Sequence, residues 1–457
     1  MAPAERATQA DLAWRVRPIL RPSCAPPSPT GPGTSGGSLG ASCETRVHNP
    51  PVRRSDGRLR PPRGYPVVVT FPVIGVIGGG QLARMMAGPA VELGLELRVL
   101  AEGPDVSAVA AVARSRVGDY RDRETLRAFA ADVDVVTFDH EHVPGELLAQ
   151  LEGDGVALHP SPAALLHAQD KLVMRRAVDG LGLPNPSWRA VTDAAGVESF
   201  AAETGWPVVL KTPRGGYDGK GVLVLRDTAG LEAARDWFTG GELLVEQFVP
   251  FSRELSVLVA RRPSGEAVAW PVVESIQVDS VCNEVIAPAP GLADETARAV
   301  TAAALHLAER LGVTGVMAVE LFETPGAGAG YLINELAMRP HNSGHWTMDG
   351  AATGQFEQHL RAVLDLPLGS TAPLAGHAVM KNILGGANED IYAAYPTALS
   401  SGPSAKVHFY GKDVRPGRKI GHVNALAAPG EPLEDVRARA TRVAAILRDG
   451  ARDAPTQ

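Results

Sequence analysis

Lysines bracketing a run of glycines are the first residues here with evident chemistry. Lys211-Thr-Pro-Arg-Gly-Gly-Tyr-Asp-Gly-Lys-Gly221 lies between the apolar stretches Trp206–Leu210 and Val222–Leu225. A Walker loop would need Gly-Lys-Ser/Thr and a following helix. Here Gly221 leads into Val222-Leu223-Val224, so the pattern predicts a glycine-rich flap between strands. Its amides could fold over a triphosphate, with Lys211 as a fixed positive charge. The competing reading is a flexible surface hairpin.

Paired acids come next. Alternation puts Glu320 on the strand face of Val316, Ala318 and Phe322, and Glu335 on that of Tyr331 and Ile333. A hairpin loop centred near Ala327–Gly328 would bring Glu320 and Glu335 opposite each other. Facing carboxylates repel, but a divalent cation between them reverses the sign, and Mg²⁺ suits oxygen ligands plus phosphates. Asn334 is an adjacent oxygen ligand. The alternative is two solvated glutamates at a sheet edge. Arg339-Pro-His-Asn-Ser-Gly-His-Trp-Thr347 follows at once. Ser343-Gly344 argues against a helical zinc pair of His341 and His345. A donor-rich loop here suits a small anion and developing negative charge, against a capped loop whose histidines bind backbone carbonyls. Last, Lys412, Arg415, Arg418 and Lys419 surround a Pro-Gly turn. Such a cluster suits a phosphate monoester, against an ordinary solvated hairpin face.

Gly78-Gly79-Gly80-Gln81-Leu82-Ala83 satisfies G-x-G-x-x-G/A between a predicted strand and helix, and Glu102 ends the next strand. That pattern serves dinucleotides, mononucleotides and ribose phosphates alike. An NAD-dependent oxidoreductase, a phosphate site and a ligand-free tight turn all remain open on these residues.

The elements that must position these groups follow from periodicity. From Val67, strand and helix patterns alternate as β-α-β-α-β, which predicts an open, mostly parallel sheet. A helix is expected near Arg123–Ala131 and another from about Pro162. After Trp188, short strands and tight turns predict an α+β region with antiparallel sheet, a helix at about Glu295–Arg310 and a last helix near Pro432–Arg448. The expected division is 69–165, a Rossmann-like domain; 166–240, a small subdomain with the flap; 241–370, a larger subdomain with the metal site; and 371–457, a β-rich C-terminal domain. Residues 1–68 are Pro/Gly/Ser-rich without apolar period and are expected to be a disordered extension, with translation starting near Val67–Val69.

Charge and composition exclude other classes. Residues 1–68 carry ten arginines against four acids, a net of +6, so the rest of a chain of net charge −7 carries −13. Nucleic acid is not an expected partner, and anions must be met by local basic clusters. The most apolar run, Val67–Val76, is interrupted by Pro72 and Gly75 and is far short of a membrane span. Cys24, Cys43 and Cys282 show no metal or disulfide spacing, which fits a reducing, cytoplasmic setting.

In this order the motifs resemble the ATP-grasp superfamily, and within it the 5-(carboxyamino)imidazole ribonucleotide synthase family, from about Val73 to the final helix. The most specific stretches are residues 215–221, 334–347 and 412–422. The resemblance implies ATP-dependent phosphorylation of bicarbonate to carboxyphosphate, then carboxylation of the amino group of 5-aminoimidazole ribonucleotide. It implies ATP, Mg²⁺ (or Mn²⁺) and a homodimer. Carried over by position, ATP would meet Lys171, Lys211, Gly216, Tyr217, Asp218, Gly219, Lys220, Gly221, Val222, Glu246, Gln247, Phe248, Val249, Glu254, Gln277, Asn334 and Glu335. Glu246–Val249 would hold adenine through backbone bonds and Glu254 the ribose hydroxyls. Glu320 and Glu335 would hold the metal. Ribonucleotide and bicarbonate would meet Gly80, Gln81, Tyr217, Asp218, Lys220, Arg339, His341, Asn342, Lys412, Arg415 and Arg418, with Arg339, His341, Asn342 and Lys412 catalytic. Lys171 stands where the family pattern has Arg, keeping charge but losing the planar fork, and Gln277 stands where many members have His.

Overall fold

The computed structural model describes residues 71–216 and 220–450. The expectations for residues 1–68 and for Tyr217, Asp218 and Gly219 lie outside the described residues.

The N-terminal part is built on β1 (Val73–Ile77), α1 (Gln81–Glu92), β2 (Glu96–Ala101), β3 (Arg114–Val117), α2 (Arg123–Ala130), β4 (Val135–Phe138) and α3 (Gly145–Gly153). Its strands form a parallel sheet in the order β3-β2-β1-β4. Both faces are covered, which is why β1 is apolar throughout. Ile74 and Val76 pack with Leu82 and Met86 of α1, while Ile77 joins Leu126 and Phe129 of α2 on the other side.

The helical connection departs from the sequence reading. One helix was expected from about Pro162; two are found, α4 (Pro162–Gln169) and α5 (Lys171–Gly180). Asp170 takes an extended conformation between them, and its carboxylate accepts the Leu172 and Val173 amides. A capping Asp in mid-pattern starts a new helix at the cost of the old one. The restart puts Lys171 in the first turn of α5.

A small antiparallel sheet follows, from β5 (Trp188–Val191), β6 (Val208–Lys211), β7 (Val222–Leu225) and β8 (Leu243–Gln247), in the order β5-β8-β6-β7. It is backed by α6 (Ala194–Thr204) and α7 (Gly230–Ala233) around Val197, Phe200, Leu210 and Val245.

The large sheet holds β9 (Arg253–Arg261), β10 (Ala267–Ala269), β11 (Val273–Val278), β12 (Val281–Ala287), β13 (Gly315–Glu323), β14 (Tyr331–Ala337), β15 (Ala378–Leu384), β16 (Lys406–Phe409) and β17 (Lys419–Leu426). Among the described residues its order is β14-β13-β9-β11-β12-β15-β17-β16, with β10 beside β9. Helix α8 (Asp294–Arg310) packs on one face through Val300, Ala304 and Leu307. Helices α9 (Thr347–Gly350) and α10 (Gln355–Val363) precede β15, and α11 (Ile391–Ser401) and α12 (Leu433–Asp449) cover its far end through Val436, Val443 and Leu447. The sheet continues across the stretch near Pro373, because β12 pairs directly with β15 from Glu284–Lys381 to Ala287–Ala378.

Candidate active site

A cleft of about 1200 Å³ runs between the C-terminal edge of the parallel sheet, the small sheet and one face of the large sheet. It is lined by Gly80, Gln81, Lys171, Lys211, Gly216, Val222, Glu246, Gln247, Phe248, Val249, Glu254, Gln277, Glu320, Asn334, Glu335, Arg339, His341, Asn342, Lys412 and Arg418. Three expected residues do not line it. Lys220 is exposed, Gly221 has φ +70° and lies against Thr212, and the Arg415 side chain is 69% exposed beside Asp413. Arg415 sits on the solvent side of the Pro-Gly turn, and the cleft receives Lys412, Arg418 and Lys419 from that segment instead.

The paired acids show how the strand places its groups. β13 and β14 are antiparallel and Glu320 is in register with Glu335. The register then slips, because Leu321 faces Ile333 and Asn334 is the extra residue of a bulge. Strict alternation had assigned Glu335 to the face of Tyr331 and Ile333. Those two are buried under α8, whereas the bulge turns both Asn334 and Glu335 into the cleft beside Glu320. Burial, then the nearby Glu335 and Glu254 carboxylates, push Glu320 up to about 8. Two carboxylates with the Asn334 side chain beside them form an all-oxygen donor set of the kind that fits a hard divalent ion.

His341 meets Glu320 from the other side. Its Nδ1 accepts the Ser343 amide at 3.3 Å, which leaves the ring proton on Nε2, 3.2 Å from Glu320 Oε1. Burial and the charges of Arg339 and Lys419 push this histidine down to about 3, so it is a neutral donor.

The nucleotide side carries its own electrostatics. Burial raises Glu246, but Lys211 Nζ at 2.6 Å and Arg175 Nε at 2.5 Å outweigh it and bring the carboxyl to about 2. Lys171 Nζ is 2.7 Å from Glu335 Oε1, and Lys211 Nζ is 3.5 Å from Asn334 Oδ1. Two ammonium groups thus border the carboxylates, as a polyphosphate requires. Val222, Val224, Phe248 and Phe251 supply an apolar wall, and Phe251 stacks on Phe322 with centroids 4.5 Å apart. Glu254 is pushed up to about 7 by burial, moderated by a hydrogen bond from Gln277.

At the opposite end, Arg339 Nε donates to Glu141 Oε2 at 2.7 Å, and Lys412 Nζ donates to Gln81 Oε1 at 2.7 Å. Asn342 lines the cleft wall but is itself buried, with its side chain against the Cys282 thiol. The glycine turn before α1 is used differently from the dinucleotide pattern. Glu102 accepts the Gly79 amide at 3.0 Å and Asp139 accepts the Ala83 amide at 2.8 Å. A Cβ on Gly80 would fall 2.0 Å from Asp139 Oδ2, so this glycine admits a protein carboxylate. Glu102 is then spent on the turn and on His140, at 3.0 Å, rather than on a ribose.

Arg121, Asp139, His140, Glu141, His142 and Cys282 also line the cleft and were missed from sequence, while Lys419 of the expected basic cluster lies on its wall. The run from Asp139 to His142 had a readable signal, since it follows the buried strand β4 at the sheet edge where ligands of open α/β sheets bind.

Three family descriptions match in chain order: a ribonucleotide synthetase preATP-grasp domain over residues 71–169, an ATP-grasp domain over 176–356, and a phosphoribosylaminoimidazole carboxylase C-terminal domain over 378–435. The N5-carboxyaminoimidazole ribonucleotide synthase of Mycobacterium tuberculosis strain H37Rv is 50% identical over 377 residues, spanning 79% of this chain and 86% of its own length. The chain belongs to the N5-carboxyaminoimidazole ribonucleotide synthase family. The synthase of Corynebacterium ammoniagenes is 47% identical, spanning 88% of this chain and 98% of its own length. Among solved structures, an ADP complex of an N5-carboxyaminoimidazole ribonucleotide synthetase superposes with TM-score 0.75 at 37% identity, over 82% of this chain and 97% of that one. The Aspergillus clavatus synthase in complex with ADP and 5-aminoimidazole ribonucleotide superposes with TM-score 0.74 at 30% identity, over 82% and 98%. An ATP-grasp ligase family accounts for the flap and the paired glutamates together, which the oxidoreductase reading did not.

Proposed function

We propose that this chain is an ATP-dependent carbon–nitrogen ligase that carboxylates the amino group of 5-aminoimidazole ribonucleotide in purine biosynthesis, with bicarbonate as carbon source. The carrying observation is one continuous cleft that joins the Lys211–Glu246 wall, the Glu320–Glu335 pair and the Arg339–Asn342 loop to the Lys412–Lys419 segment. Membership of the synthase family supplies the substrate class.

In this reading bicarbonate oxygen takes the γ-phosphoryl group of ATP, releasing ADP and leaving carboxyphosphate. The amine nitrogen then bonds to the carboxyl carbon or to carbon dioxide released from it, while the bond to phosphate breaks. The amine proton leaves with phosphate or solvent. Lys171 and Lys211 hold the polyphosphate. Arg339 and Asn342 orient bicarbonate, and the neutral Nε2–H of His341 keeps Glu320 in place. Lys412, positioned by Gln81, and Arg418 meet the ribonucleotide phosphate. Glu320 and Glu335, with Asn334 beside them, would hold Mg²⁺, which neutralises charge on the phosphates. Enclosure between the sheets keeps water from the labile intermediate.

A homodimer and a cytoplasmic setting are part of the same proposal and rest on the family resemblance. Among the described residues no helix is long and apolar enough to cross a membrane. The test is ADP release from purified protein with Mg-ATP and bicarbonate, with and without 5-aminoimidazole ribonucleotide. Strong dependence on the ribonucleotide is expected; indifference to it would leave an ATP-grasp ligase with another acceptor.

A further inference from the structure

The bulge in β14 needs an explanation that β13 does not provide. Along a regular strand, successive carbonyls point to opposite sides. At the bulge the Ile333 and Asn334 carbonyls both turn to the outer edge of the sheet, where among the described residues β14 has no neighbouring strand. Two adjacent carbonyl dipoles aimed the same way repel, and an uncovered edge leaves them to water. One side chain meets both. Arg175 of α5 donates from Nη1 to Ile333 O at 2.7 Å and from Nη2 to Asn334 O at 3.0 Å. The Ile333 amide is taken by Pro184 O at 3.0 Å, so the outer edge here is satisfied by the α5 region.

Arg175 is fully buried, and two more of its N–H groups are also engaged. Nε binds Glu246 at 2.5 Å, and Nη1 also reaches Asn185 Oδ1 at 2.7 Å. The planar guanidinium therefore ties strand β8, through Glu246, to the backbone that turns Asn334 and Glu335 toward Glu320. A lysine has no fork with which to span two carbonyls and a carboxylate at once.

We infer that Arg175 is a positioning residue for the metal and nucleotide site: it templates the β14 bulge that presents Asn334 and Glu335, and couples that bulge to strand β8. The inference rests on the reading of Glu320 and Glu335 as metal ligands. It adds that their pairing depends on a side chain that touches neither substrate nor metal.

The test compares wild type, Arg175→Lys, Asn185→Ala and Glu335→Gln, with circular dichroism and melting temperature as folding controls. Mn²⁺ binding in the presence of ADP is followed by electron paramagnetic resonance, and ADP affinity in EDTA by calorimetry. Arg175→Lys keeps a positive charge for Glu246 but loses the fork, so Mn²⁺ affinity is expected to fall about 10- to 100-fold, the usual range for a lost supporting partner of a metal site. Metal-free ADP affinity should change much less. Asn185→Ala leaves the buried charge paired and keeps the inference testable if the lysine variant does not fold. It should weaken Mn²⁺ in the same direction, by roughly two- to threefold. Wild-type Mn²⁺ affinity in a folded Arg175→Lys protein, or in Asn185→Ala if lysine is not tolerated, while Glu335→Gln loses the ion, would overturn the role of Arg175 alone. Unchanged Mn²⁺ affinity in Glu335→Gln would overturn the metal reading and this inference with it. Equal losses of Mn²⁺ and metal-free ADP affinity in Arg175→Lys would mark a merely structural residue.

Discussion

Two glutamates in one cleft sit at opposite electrostatic extremes. Glu246 lies between Lys211 and Arg175, which hold its carboxyl at about 2 despite burial. Glu320 lies among Glu335, Glu254 and a neutral histidine, and is raised to about 8. Both stand on sheet strands and both line the cleft, so burial alone does not separate them. The difference is in the partners. Glu246 finds its countercharge within the protein and contributes to the fold. Glu320 has like charges nearby, and the Lys419 and Arg339 charges only partly offset them.

The sharpest way to break this contrast is Glu335→Gln. It removes one charge from the pair isosterically and should abolish turnover, by more than about a thousandfold, with the melting temperature preserved. Near-normal ADP release would remove the two-glutamate site. Glu246→Leu should do the reverse and unfold rather than inactivate. It strands a buried Arg175, which costs roughly 3–5 kcal/mol in chemical denaturation.

The same glutamate predicts an acid limit. Its folded value of about 2 lies below the ordinary 4.5, so its contribution is fully present above pH 4.5 and is lost as pH falls toward 2. Melting temperature against pH should drop in that window for wild type, and less steeply in Glu246→Gln. Lys171→Met should raise the KM for ATP by about tenfold, the worth of one charged hydrogen bond; an unchanged KM would place Lys171 outside the nucleotide contacts. The smallest effect, opposite in sign to Glu246→Leu, is expected for Glu320→Gln. Above about pH 8, where Glu320 is charged, relief of like charges facing across two strands should stabilise the metal-free protein by roughly 0.2–1 kcal/mol. A destabilised variant would mean that the hydrogen bond from His341 outweighs the repulsion.

Much of the fold was legible because periodicity is local. The β-α-β alternation after Val73 and the helices at Arg123–Ala130 and Asp294–Arg310 follow from apolar spacing and caps. The Glu320–Glu335 register followed from the position of the glycine-rich turn between the two strands. Their common face did not follow, since the count of two fails at a bulge. Asp170 misled in a similar way, because a capping residue inside an apolar pattern looks like one polar position on a continuing helix. Arg175 carried no signal at all: its partners are 71, 158 and 159 residues away.

By itself, then, the sequence determined the elements, their order and the residue types that can bind phosphate, metal and anion, since these depend on short-range spacing and side-chain chemistry. Tertiary structure alone decided which carboxylates meet cations and which meet one another. It put Glu102 and Asp139 on the amides of the first glycine turn, and Arg175 behind the bulge that carries Asn334 and Glu335. The physical reason is that charge pairing and backbone satisfaction are settled by neighbours in space, at distances of a few ångströms that no spacing along the chain encodes.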